Sequence, residues 1–202
     1  MVRNFEAGHP LMRDAMVSSY VEKLARKFEP LISAHVIDSA EEWGAAFAPG
    51  YIGVTAGLML RAQNEAELAG VLAHLIAHAE IGANGSRIII AGLDSGLCLR
   101  FATAAPGADS LRERERIADQ AALGLLERAG YDRASLFEFF SKLRYEKPGL
   151  WRGFSLDDLV ADRSQMEFAG IPGGDRVLDT SEFQMIRKRL RPFSTRARQL
   201  NR

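Results

Sequence analysis

Two short runs in the chain carry side chains that could do chemistry together. The first is His74-Leu-Ile-Ala-His78 and the second is Glu115-Arg-Ile-Ala-Asp119. Residues four apart sit about 40° apart around a helix, one turn up, so each run presents its two functional groups on one face. Two imidazoles from one helix and a carboxylate from another make the three protein ligands of an open zinc site. A fourth position is then left for water or substrate. Asp119 suits a supporting role, accepting a hydrogen bond from a ligating imidazole and so fixing its tautomer.

Such a site needs two helices held side by side, and the sequence supplies start signals for both. Asn64 can cap a helix over Glu65 to about Glu80, with Glu67 three residues on, and Gly82-Ala-Asn-Gly85 stops it. Ser110 and Glu113 form a second capping box, opening a helix to Arg128, with Gly130 as its C-cap. Around these, Leu11 to Phe28 reads as an amphipathic helix with Met16, Tyr20, Leu24 and Phe28 on one face, ended by Pro30. Ser33–Asp38 and Tyr51–Thr55 read as strands. Ala45–Gly50 reads as a loop or edge segment, because Pro49 cannot donate to a ladder. Ser39 to Glu42 suggests one turn of helix, and Gly57–Arg61 a short helix. Ser86–Ala105, apolar and interrupted by glycine, reads as helical pieces. Ala134–Tyr145 is a further helix, Arg176–Asp179 is extended, and Ser181 caps a final helix.

The expectation is a single α+β domain over 1–202, mostly helical, with a small mainly antiparallel sheet. Residues 1–10 form a loose lead-in and 191–202 a basic tail. A chain of 202 residues, 47% apolar and 26% charged, can bury its own core without disulfides. Its 26 Lys and Arg balance 26 Asp and Glu, which argues against nucleic acid as the main partner. The one cysteine, Cys98, excludes an internal disulfide and a cysteine-cluster zinc site, and its apolar setting marks it as a packed residue. Trp43 and Trp151 read as packing residues too. The longest apolar stretch, Ile88 to Ala105, contains Asp94, Arg100 and two glycines, so no segment reads as membrane-spanning. Met1 to Pro10 lacks the apolar centre of a signal peptide. From Arg187 to Arg202 there are seven basic residues and no acid, which reads as a solvated basic face at a helix C-terminus.

Four segments in register carry a family resemblance. Val54-Thr-Ala-Gly-Leu58, Asn64 through His78, Glu115-Arg-Ile-Ala-Asp119 and Ala129-Gly-Tyr-Asp132 resemble the HtpX/BepA-type zinc metallopeptidases, the gluzincins of metallopeptidase family 48. The likeness runs from about Tyr20 to Leu190, and Asp179-Thr-Ser-Glu-Phe183 is similar to the family's closing helix. It implies a zincin-like fold, zinc on His74, His78 and Glu115, and Asp119 behind them. It also implies an edge strand within Ala45–Thr55, through Ala48, Pro49, Gly50 and Tyr51, along which a peptide or unfolded protein adds by strand pairing. A setting at the cell envelope or periplasm goes with the resemblance.

The chain departs from the family's pattern at two places. The family's motif is His-Glu-x-x-His, whose Glu is the general base toward the attacking water. Here that position is Leu75, which cannot accept a proton. Glu80 lies about 200° around the helix from His78, and Glu113 as far from Glu115, so neither replaces it locally. Aligned on Asp162-Arg163, Asp157-Asp158 falls where the family often has His-Pro. A carboxylate at Asp157 repels the oxyanion that the histidine would stabilise. Loss of the base alone removes about 10²–10⁴-fold in rate. Three readings follow: a metallopeptidase relative without efficient proteolysis that still binds peptide, an active endopeptidase with a non-standard base, or a metal-free scaffold whose histidines bond to the carboxylates.

Overall fold

The computed structural model describes residues 2–47, 49–81, 87–90, 108–146 and 176–200. Among them, seven helices surround one four-stranded sheet. In chain order these are α1 (Val2–Gly8), α2 (Ala15–Ala25), β1 (Ser33–Ile37), β2 (Gly44–Phe47), β3 (Tyr51–Thr55), α3 (Ala56–Arg61) and α4 (Glu65–Ile81). There follow β4 (Arg87–Ile90), α5 (Ala108–Arg128), α6 (Ala134–Glu146) and α7 (Ser181–Leu200). The expectations for Cys98, Trp151 and residues 147–175, Asp157 included, lie outside the described residues.

The sheet order is β1-β3-β2-β4. β1 and β3 run parallel, while β2 is antiparallel to both β3 and β4, so antiparallel pairing predominates as expected. Two expectations change. Gly44–Phe47 is an interior strand rather than a loop or edge, and Pro49 stands beyond its end at an exposed turn. Arg87–Ile90, expected within helical pieces, is the strand that covers it. Three consecutive isoleucines are stiff, β-branched side chains that suit a pleated surface.

Side chains alternate across the sheet. Ala34, Val36, Ala46, Ile52 and Val54 join the main core with α2, α4, α5, α6 and α7. Ile37, Ala45, Phe47 and Tyr51 point the other way, into a smaller cluster with Phe5 and Trp43. That second cluster explains α1. Residues 1–10 read as a loose lead-in because a two-turn helix is marginal alone, but Phe5 docks 4.8 Å from the Phe47 ring and holds it.

Several ends follow local chemistry. α2 starts at the side chain of Asp14, later than the sequence pattern suggested, and buries Val17, Tyr20, Val21 and Leu24 while Met16 stays exposed. Thr55 caps α3 through Leu58 N–H at 3.2 Å. The chain only bends around Ser39, whose Oγ accepts from Glu41 N–H at 3.2 Å, in place of the expected helical turn. Gly130, with φ of 77°, closes α5 with Tyr131 N–H on the Leu126 carbonyl at 2.9 Å. α7 is capped by Thr180 through Phe183 N–H at 3.1 Å, with Ser181 already inside the helix. The backbone of 191–200 continues this helix rather than forming a separate tail.

Candidate metal centre

α4 positions the site because it is the buried axis of the molecule. Its side chains from Glu65 through Ala79 are all buried, as a helix apolar on every side requires. Asn64 Oδ1 accepts the Glu67 N–H at 2.8 Å, and Glu67 Oε2 reaches back to Gln63 N–H at 2.9 Å. Gly70 lets α6 approach closely, since a Cβ there would lie 3.0 Å from Leu136 Cα.

His74 and His78 leave α4 one turn apart, with ring centroids 4.5 Å apart and the rings nearly perpendicular. Across from them α5 brings Glu115 and Asp119. The two Nε2 atoms are 3.0 Å apart. Glu115 Oε2 lies 3.3 Å from His74 Nε2, and Glu115 Oε1 lies 3.2 Å from His78 Nε2. Asp119 Oδ1 is 2.8 Å from His74 Nδ1. The edge of Phe140, from α6, closes one side, its ring 5.5 Å from that of His74. All four polar residues are at most 3% exposed.

These groups could hold a metal ion. Zinc bonds of about 2.0–2.2 Å set tetrahedrally put neighbouring donors roughly 3.3 Å apart; here the two Nε2 atoms stand 3.0 Å apart, and each faces a different oxygen of Glu115 at 3.3 Å and 3.2 Å. The donor chemistry agrees. Asp119, 2.8 Å from His74 Nδ1, would keep that nitrogen protonated and leave the Nε2 lone pair for the ion, and two carboxylates would balance a dication.

The same groups share charge among themselves. Burial alone pushes the His74 imidazole down, but hydrogen bonds and charge from Asp119 and Glu115 raise it to about 9. Burial holds His78 below its ordinary value, and the neighbouring His74 adds to this against the pull of Glu115. Burial also works against the Glu115 carboxylate, yet His78 and His74 hold it well below the usual range.

Leu75 is fully buried and projects onto β2, where a Cβ on Gly44 would meet its Cδ1 at 2.9 Å. Gly44 is a neighbour that the sequence reading missed. Glu80 is exposed, and Glu113 is exposed and paired with Arg116 at 2.6 Å, so neither acid turns inward. The expected edge strand is corrected. Among the described residues β2 and β3 each have a strand neighbour on both sides, so neither Gly44–Phe47 nor Tyr51–Thr55 is an edge strand. Ala48 lies outside the described residues, and Pro49 and Gly50 form the turn at the far end of β2 from Gly44. The Tyr51 side chain lies on the opposite face of the sheet from α4, donating to Glu6 at 3.0 Å.

The model of peptidase family M48 matches residues 11–112, half of the chain. The chain belongs to peptidase family M48. The matched span contains both histidines and stops three residues before Glu115. Among curated relatives, the M48 chain is similar to a protein of Vibrio cholerae serotype O1 named as a candidate beta-barrel assembly-enhancing protease. They are 28% identical over an alignment covering 72% of this chain and 36% of that protein. The chain therefore spans about a third of that relative's length. No helix among the described residues of the M48 chain is long and apolar enough to cross a membrane.

Proposed function

We propose that this M48 chain holds zinc on His74, His78 and Glu115, with Asp119 orienting His74, and that it binds peptide or unfolded protein without cutting it efficiently. One observation carries the reading: an aliphatic side chain, Leu75, stands between the two histidines and is packed against β2 at Gly44. Zinc, when bound, supplies a Lewis acid that polarises a carbonyl. The protein's own part is to hold two imidazoles and a carboxylate in place and keep His74 in one tautomer. It offers no proton acceptor on α4 at the position where the family's pattern has one. Asp157 is a second departure, carried from the sequence alone. The relative's name, a protease, points to protein chains as ligands; a setting at the cell envelope goes with the family resemblance, and the balanced charge gives nucleic acid no evident role.

The test uses the purified 202-residue chain. Zinc should bind and raise the melting temperature, by an amount equivalent to about 2.7 kcal/mol at a hundredfold excess over Kd, while casein stays intact. Leu75→Glu alone should restore little cleavage, because Asp157 remains. Zinc-dependent, chelator-sensitive casein cleavage by the wild type would refute the inactive reading, and a robust protease from Leu75→Glu would refute the two-group argument. Absence of zinc binding would favour the metal-free scaffold, which the direct contacts of both histidines to Glu115 also permit.

A further inference from the structure

β4 fills the edge of β2 that an added strand would otherwise use. It pairs antiparallel with β2, matching Gly44 with Ile90, Ala45 with Ile89, Ala46 with Ile88 and Phe47 with Arg87. Gly44 is the residue against which Leu75 packs, so the Ile90 end of β4 adjoins the part of the sheet nearest the histidine helix. Along this edge an extended peptide adding to β2 would run past α4, and β4 already takes that ladder. Among the described residues β4 has no strand neighbour besides β2, whereas β2 and β3 are held by α4 on one face and by the Phe5 cluster on the other. Removing β4 leaves the β1-β3-β2 sheet with its packing on both faces. A four-residue end strand with one strand partner, touching α4 less extensively than β2 and β3 do, belongs to the less stable part of a fold.

We propose that β4 is an internal occupant of the peptide position: it pairs with β2 in place of an extended polypeptide, and binding requires its release. The proposal rests on the peptide-binding reading above. Ligand and β4 then compete for one row of backbone N–H and C=O groups on β2. The ligand class is an extended, unfolded polypeptide, recognised by main-chain pairing. Affinity in the wild type is reduced by the fraction of molecules in which β4 is released.

The probe is fluorescein-labelled unfolded casein, read by anisotropy with the full chain and with Ile88→Pro/Ile89→Pro. Neighbouring strand residues aim their N–H groups to opposite sides, so the two prolines remove a ladder donor whichever residue carries it. The variant should bind casein roughly tenfold or more tightly than the wild type, the gain expected when a released state is a minor population. Zinc titration in parallel should be equal in both. Equal casein binding by the two proteins overturns the proposal alone; no binding by either overturns the peptide-binding reading and the proposal with it. Loss of zinc binding by both bears on the metal site and leaves the casein comparison intact. Hydrogen exchange on the wild type gives an answer even where the variant fails to fold. On adding saturating casein, amides of 87–90 should lose protection while those of 44–47 keep it. Unchanged protection of 87–90 with casein bound places the peptide elsewhere and overturns the proposal.

Discussion

At the scale of single residues, the site is decided by which atoms point at the centre. Asp119 matters because it sits behind His74 at 2.8 Å and selects which nitrogen faces inward. Asp119→Asn should weaken zinc binding about 10–100-fold, the usual cost of losing such a partner, measured by competition with a chromogenic chelator. A second buried acid, Glu65, serves the fold. It accepts from Tyr20 at 2.8 Å, from Tyr131 at 2.6 Å and from Thr180, with Lys27 Nζ 3.7 Å away. Burial by itself would push this carboxyl up, but the three hydroxyl donors and Lys27 hold it below its ordinary value of 4.5. A lowered folded value means a contribution present above the unfolded value and lost as pH falls through the folded one. Urea midpoints should therefore drop on acidification in the wild type and less steeply in Glu65→Gln. Glu65→Ala, which leaves buried hydroxyls without their acceptor, should cost on the order of 3 kcal/mol at neutral pH.

At the scale of elements, the decisive contact is α4 against β2. Gly44 and Leu75 share one space: a Cβ on residue 44 would stand 2.9 Å from Leu75 Cδ1 and 3.3 Å from the Gly53 carbonyl. Gly44→Ala should destabilise by about 1–3 kcal/mol through overpacking. Leu75→Ala opens the space, so the cost of Gly44→Ala should shrink in that background. A double-mutant cycle from denaturant midpoints measures this coupling, and strict additivity of the two changes would contradict the contact. The same contact shows what Leu75 does in the fold: it ties the histidine helix to the strand that β4 covers.

At the scale of the molecule, the sheet separates two apolar clusters of unequal size. The larger holds the helices that carry the metal centre, and the smaller is closed by Phe5 on α1. Phe5→Ala should cost roughly 3 kcal/mol and release α1, seen as amide exchange across residues 2–8. The zinc affinity should stay near that of the wild type, because the cluster lies on the other face of the sheet.

Chemistry confined to a few neighbouring residues was readable in the sequence: the i, i+4 pairs of His74 with His78 and Glu115 with Asp119, the Asn64 cap and the Gly130 stop. Helix geometry and capping act over a single turn, so spacing alone carries them. The family resemblance added the pairing of the two helices, and the observed distances agree with it. Tertiary structure alone decided that β4 covers β2, that Leu75 packs on Gly44, and that Glu65 gathers partners 45, 66 and 115 positions away in the chain. By local pattern Pro49 suggests an edge and the isoleucine run suggests helix, because strand pairing depends on which distant segment arrives alongside. Local propensity does not encode that arrival; burial and backbone hydrogen bonding across the folded chain do.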